Sequence, residues 1–270
     1  MAEETEYIIR EMTRIDGRAQ RLIACAVAAA ALLVAGCGGV FGKVYEYEED
    51  IYLSLDGSAD IIVNASAPAL AALRGVNLSM DPAVRLDREI VRAAYQSAAA
   101  EVTRVSRPWR RKGRRFVQVR LHVPDVRKLP QVSPFAWSTY ELGEKEGLVV
   151  YKQTIGPSAL RPGTLAKPVW EGGELVAFRL HLPSKVVWHN ARDLETNQPS
   201  STARGNILAW EQPLTERLEG RPIALEVRMD RQSILHRTLW LFGGAFTAAV
   251  LLLVSLIWWT MRKGAKEETV

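Results

Sequence analysis

From Tyr45 to Leu55 apolar and polar residues alternate, with Ile51, Leu53 and Leu55 on one face and Tyr52 and Ser54 on the other. That two-residue period predicts a half-buried strand. Asp56-Gly57-Ser58 reads as a turn into a second strand at Ile61-Ile62-Val63, the signature of a hairpin. The rhythm then changes. After a short helical stretch near Pro68 to Leu73, Asp81-Pro82 offers an N-cap followed by proline at the first helical position. Leu86, Ile90, Val91, Ala94, Tyr95 and Ala98 recur at spacings of three and four, with Arg85, Asp87, Arg88 and Arg92 between them. This predicts one amphipathic helix over 81–99 whose apolar stripe needs a sheet to cover.

Alternation returns at Val102 to Ser106 and Phe116 to Val123, and paired runs at Trp137 to Leu142 and Leu148 to Thr154 flank a glycine-bounded turn. Leu175 to Leu182, Lys185 to Trp188, Asn206 to Trp210 and Ile223 to Met229 add further strands, with long loops at Gly156 to Pro168 and Asn190 to Arg204. Strands dominate without β-α-β alternation. The expected fold class is α+β: a curved antiparallel sheet packed on one main helix.

Two runs break the pattern by being apolar without interruption. In the first, Arg18 and Arg21 precede Leu22 to Val34, and Val34-Ala35-Gly36-Cys37 closes it. A basic segment, an apolar core and small residues before a cut describe a secretory signal. With the cysteine placed directly after the small residues, the tetrapeptide resembles the lipobox of bacterial lipoprotein signals, which implies a diacylglyceryl group on the Cys37 thiol and removal of the peptide before it. The run is shorter than the ~20 apolar residues a spanning helix needs. Glu3, Glu4, Glu6 and Glu11 suit a signal badly, and Met12 is expected as the true start.

The second run, Leu239 to Trp259, carries no charge and has Trp240, Trp258 and Trp259 near its ends. It is long enough to span ~30 Å of hydrocarbon with indoles at headgroup level. Arg262, Lys263 and Lys266 follow it and place the carboxyl terminus in the cytoplasm. The expected order is a signal peptide at 1–36, a lipidated tether at 37–42, an extracytoplasmic domain at 43–230, a transmembrane helix at 239–260 and a basic cytoplasmic tail at 261–270.

Composition narrows the chemistry. The only cysteines are Cys25 and Cys37, so one remains after processing and the domain must be stable without an internal disulfide or a thiolate metal site. No G-x-S-x-G, H-E-x-x-H, P-loop or dinucleotide glycine pattern is present. His122, His181, His189 and His236 are scattered, and Glu46, Glu48, Glu49 and Asp50 read as a solvated strand edge. No enzyme is expected, nor any metal or cofactor beyond covalent diacylglyceryl and acyl groups on Cys37.

Arg107-Pro108-Trp109-Arg110-Arg111-Lys112-Gly113-Arg114-Arg115 is the one marked charge feature. From Arg104 to Lys128 there are ten basic residues and one acid, more imbalance than the +5 of the entire chain. Cations on a hairpin tip discourage edge pairing. They also attract an anionic surface, at on the order of 1 kcal/mol each within a Debye length. Arg107, Trp109, Arg110, Arg111, Lys112, Arg114 and Arg115 are therefore the candidate anionic-lipid contacts. Nucleic acid is not an expected partner for a domain outside the cytoplasm.

The lipobox, the strand with Leu55-Asp56-Gly57-Ser58-Ala59, the Asp-Pro helix, the run Pro183 to Ala191, the Gly205 to Trp210 strand and the terminal span with its basic tail resemble the bacterial LppM-type lipoproteins. The long loop after Asn190 and the arginine hairpin depart from that pattern. The resemblance implies an α/β lipid-binding fold and an envelope protein that binds lipid or glycolipid rather than catalysing a reaction. Membrane lipids are the expected partners, and an assembly or scaffold role recruiting an envelope protein is the alternative. The oligomeric state is left open.

Overall fold

The computed structural model describes residues 43–81, 83–160, 170–200 and 206–267. The signal, Cys37 with the rest of the tether, and the last three residues lie outside them. In chain order the elements are β1 (Val44–Leu53), β2 (Ala59–Ser66), α1 (Ala67–Arg74), α2 (Arg88–Tyr95), β3 (Glu101–Val105), β4 (Trp109–Arg111) and β5 (Arg114–Val123). Two 3-10 turns (Val126–Gln131 and Ser133–Phe135) lead to β6 (Ser138–Lys145), β7 (Leu148–Ile155), β8 (Glu174–His181), β9 (Ser184–His189) and β10 (Ile207–Pro213). The chain ends with α3 (Leu214–Leu218), β11 (Ile223–Ser233) and α4 (Ile234–Glu267).

The fold is α+β and mostly antiparallel, with its strands in two sheets rather than one. The larger runs β10-β8-β1-β2-β5-β3 with β4 added beside β5, and the smaller runs β6-β7-β11-β9. Sequence alternation predicts which face of each strand is buried but not which strands share a sheet, so the division was invisible to it. Ile51, Ile61, Val63, Val119 and Leu121 of the large sheet and Tyr151, Ile155, Leu225 and Val227 of the small one belong to one buried cluster.

Both helices that complete this core are short. Ser66 caps α1, its hydroxyl accepting from the Ala69 amide at 3.2 Å, and Gly75 ends it in the left-handed region at φ 67. Every residue of α1 except Ala71 is buried. The second helix differs from expectation. Asp81 makes a local turn by accepting from the Ala83 amide at 2.8 Å, and helix begins only after Asp87, which accepts from the Glu89 amide at 2.9 Å. With α2 confined to Arg88–Tyr95, Leu86, Val91 and Tyr95 are buried while Ile90 and Ala98 face solvent. The core is therefore covered by α1 as well as α2.

An ion pair sits inside the core. Arg74 Nη2 of α1 donates to Glu49 Oε2 of β1 at 2.6 Å and its Nε donates to the Tyr47 hydroxyl at 2.9 Å. Gln153 of β7 donates to the other Glu49 oxygen at 3.1 Å, so the carboxylate joins the two sheets. The Arg74 guanidinium also lies 4.8 Å from the centre of the Tyr47 ring. Burial works against its charge, but Tyr47 and Glu49 outweigh burial and raise its pKa. Burial pushes Tyr47 and Tyr151 well above the usual tyrosine value. The carboxylates of β1 are not a solvated edge: β1 lies between β8 and β2, and Glu46 and Glu49 are both buried.

Strand direction fixes the two ends of the domain. Contacts between β1 and β8 climb in step, Glu48 with Arg179 at 2.8 Å and then Asp50 with His181 at 3.2 Å, the order of a parallel pair. From the end of β8 the chain reaches Pro183, whose carbonyl accepts from the Ile234 amide at 3.0 Å. Thus α4 leaves from the end at which β1 finishes. The Arg114 end of β5, where Phe116 pairs with Ser66, lies beside the start of β1. Over Ile234–Trp259, 26 residues with mean hydropathy 2.2, α4 is long and apolar enough to cross a membrane.

Candidate functional site

The arginine segment folds as the hairpin β4-β5, turning on Lys112 at φ 46 and Gly113 at φ 75. Two successive positive φ values suit the right-handed twist of a two-residue hairpin. Trp109 pairs with Phe116, Arg110 with Arg115, and Arg111 with Arg114. Like charges placed opposite one another repel, and the structure separates these by turning Arg114 and Arg115 inward while Arg110 and Arg111 stay exposed.

Arg114 is not available to a lipid. Its side chain is buried between Glu46, with Nε donating at 3.0 Å and Nη2 at 2.9 Å, and Glu174 at 3.3 Å. Trp170 Nε1 donates to the second Glu46 oxygen at 3.1 Å. Burial opposes ionisation of Glu174, but the amides of Glu171 and Gly172, aided by Arg114, outweigh it and hold its carboxyl below the usual range. One guanidinium thus serves two carboxylates, whose other contacts are the Trp170 indole and the Glu171 and Gly172 amides, and removing it would leave both acids buried without their cation. Sequence reading placed Arg114 among the contacts because its carboxylate partners lie 60 and 68 positions away.

The remaining members divide by face. Trp109, 39% exposed, stacks on Phe116 with ring centres 5.9 Å apart, and the Arg111 guanidinium lies 5.8 Å from the same ring. Arg107, Arg110, Arg111 and Lys112 are exposed. Arg115 is half-buried and turns toward α2. There it lines a cavity of about 590 Å³ with Arg85, Arg88 and Pro108. Its Nε is buried without a hydrogen-bond partner. Arg85 and Arg88 were legible only as the wet side of a helix; their convergence on Arg115 depends on the packing of α2 against the start of β5.

Two histidine–carboxylate pairs lie on the outer face of the large sheet, His122 with Asp60 at 2.9 Å and His181 with Asp50 at 3.2 Å, the latter ring stacked on Tyr52. No hydrogen bond among the described residues joins either ring to a serine, threonine or cysteine. Nor do the described residues contain a group of three or more His, Cys, Asp or Glu placed to hold a metal. The arrangement with evident chemical capacity is the cationic one, a planar fork of donors suited to carboxylate and phosphate oxygens.

No protein-family model matches the chain, and no curated protein does. Among solved structures the chain is similar to the folded domain of LppM of Mycobacterium tuberculosis, determined by NMR, over 71% of this chain and 94% of that one. Identity is 14% and the TM-score 0.36. LppM is thus a weak structural neighbour.

Proposed function

We propose that the protein is a membrane-tethered envelope lipoprotein of the LppM type, acylated at Cys37, whose exposed domain binds a lipid, glycolipid or other amphiphile at the membrane surface without catalysing a reaction. The observation that supports this best is the contrast within one hairpin. Arg114 is neutralised by buried carboxylates, whereas Arg107, Arg110, Arg111 and Lys112 stand exposed beside Trp109 with no acidic partner among the described residues.

Posture follows from the two anchors. Ten residues of β5 run about 33 Å at 3.3 Å per residue, so an upright domain would lift the hairpin far beyond the ~8 Å Debye length from the bilayer entered by α4. The seven steps from Cys37 to Val44 reach about 25 Å at most. An acylated Cys37 therefore excludes the fully upright posture and tilts the hairpin end toward the headgroups. In this reading α4 ends in the cytoplasm and the domain sits on the outer side of the cytoplasmic membrane.

Recruitment of an envelope protein is the second reading. One feature favours it: a register shift on edge strand β9 turns Val187 and Trp188 outward together. Flotation of residues 43–233 with vesicles distinguishes the two. Binding to vesicles containing phosphatidylglycerol, absent on phosphatidylcholine and lost when Arg107, Arg110, Arg111 and Lys112 are all changed to Gln, is the expected result. Equal binding to both vesicles, or retention by the quadruple variant, refutes the electrostatic reading, and a stoichiometric crosslink to a protein through Trp188 supports the alternative.

A further inference from the structure

The cavity beneath the hairpin carries chemistry that the exposed arginines do not. Three guanidiniums line it, Arg85, Arg88 and Arg115, and among the described residues no salt bridge to an acid holds any of them. Two carboxylates share the lining, but both are engaged. Asp87 Oδ1 accepts from the Glu89 amide at 2.9 Å as the cap of α2, and Glu89 faces Arg92 at 3.8 Å. Arg115 Nε is buried with no acceptor, a costly state for an N–H that an incoming anion would relieve. The cavity therefore holds a net positive charge and an unmet donor.

Its rim is apolar. Leu86 and Pro108 line it; Val84 and Ile90, next in sequence to lining residues, are 49% and 40% exposed. Trp109 follows Pro108 at the hairpin. A cationic lining with Leu86 and Pro108 in it and exposed apolar residues nearby in sequence suits a head bearing tetrahedral oxygens attached to an apolar body. We propose that this cavity is a phosphoryl-binding site, in which Arg115, with Arg85 and Arg88, receives the phosphate group of a phosphorylated amphiphile. The proposal rests on the membrane-surface reading above and assigns the headgroup class to it. A lipid phosphate and free inorganic phosphate share this chemistry, and the test separates them.

The full chain in dodecyl maltoside, a phosphate-free detergent, is titrated calorimetrically with dihexanoyl phosphatidic acid, with inorganic phosphate and with dihexanoylglycerol, which has the same chains and no phosphate. The first binds and the last does not, and Arg115→Gln weakens binding roughly tenfold or more, the scale of a lost charged hydrogen bond. Arg115→Lys falls between, and Arg110→Gln, outside the cavity, changes it less than about twofold. Phosphatidic acid binding more tightly than inorganic phosphate identifies a lipid source; equal affinity identifies a soluble one. Arg115→Gln and Arg88→Gln both unchanged in a folded protein, or dihexanoylglycerol binding as well as phosphatidic acid, overturns the site. Vesicle flotation lost while phosphatidic acid still binds removes the surface reading alone, whereas flotation retained with phosphatidic acid binding indifferent to Arg115 removes the site alone.

Discussion

Changing Arg74 to Met removes a buried cation and leaves its counterion in place. Glu49 would lose the 2.6 Å contact and keep only the Tyr47 hydroxyl at 2.7 Å and Gln153 at 3.1 Å. Methionine fills much of the same volume, so the main effect is an uncompensated carboxylate in the interior. Breaking one side of a buried pair costs about 3–5 kcal/mol, a large share of the 5–15 kcal/mol by which a domain is stable. At the ~2–4 °C per kcal/mol expected for a domain of this size, the melting temperature of residues 43–233 falls by roughly 6–20 °C. Thermal unfolding followed by tryptophan fluorescence measures that shift, and urea unfolding the free energy. Replacing both partners, Arg74→Met with Glu49→Leu, recovers most of the loss, because neither charge is then stranded. A cost below about 1 kcal/mol for Arg74→Met, or a double variant as unstable as the sum of the singles, would refute the view that this pair is one coupled unit joining the sheets.

Arg114→Gln, which strands the buried Glu46 and Glu174, destabilises the same domain by roughly 2–5 kcal/mol, while Arg110→Gln stays within about 0.5 kcal/mol; thermal melts of the two compare a buried hairpin cation with an exposed one. Gly156→Ala drives a methyl group into the Trp137 carbonyl oxygen, where the Gly156 amide donates at 2.9 Å, and costs about 1–3 kcal/mol or more in urea unfolding. Acid titration of stability reports Glu174. Its folded pKa is depressed, so it stabilises the domain at neutral pH, and that contribution drains away as the pH drops below about 4.3. Glu174→Gln flattens this part of the curve, and an unchanged acid slope would contradict the assignment.

The sequence made strand positions legible because alternation is a local property. Ten of the strands lie where the two-residue period puts them, and the Lys112-Gly113 turn is where the glycine marks it; β4, three residues of Trp and Arg, lacks any alternation to read. Two sheets instead of one were hidden, since only pairing across long sequence separations divides them, as when β11 joins both β7 and β9. The helix over 81–99 shortened to Arg88–Tyr95 because Asp81 spends its side chain on a local turn while Asp87 makes the cap. At the site, the cationic hairpin was visible as composition. What separated buried Arg114 from exposed Arg110 was visible nowhere locally: Glu46 and Glu174 reach it only through the sheet. Arg115 gained its cavity the same way, from the docking of α2.

Lipid mass spectrometry of the full chain extracted from its native membrane bears most directly on the account. An anionic amphiphile should co-purify, enriched over the bulk membrane, and the enrichment should fall when Arg107, Arg110, Arg111 and Lys112 are changed to Gln. Co-purifying lipid that mirrors the bulk membrane in both proteins, with a stoichiometric protein bound instead, would contradict it.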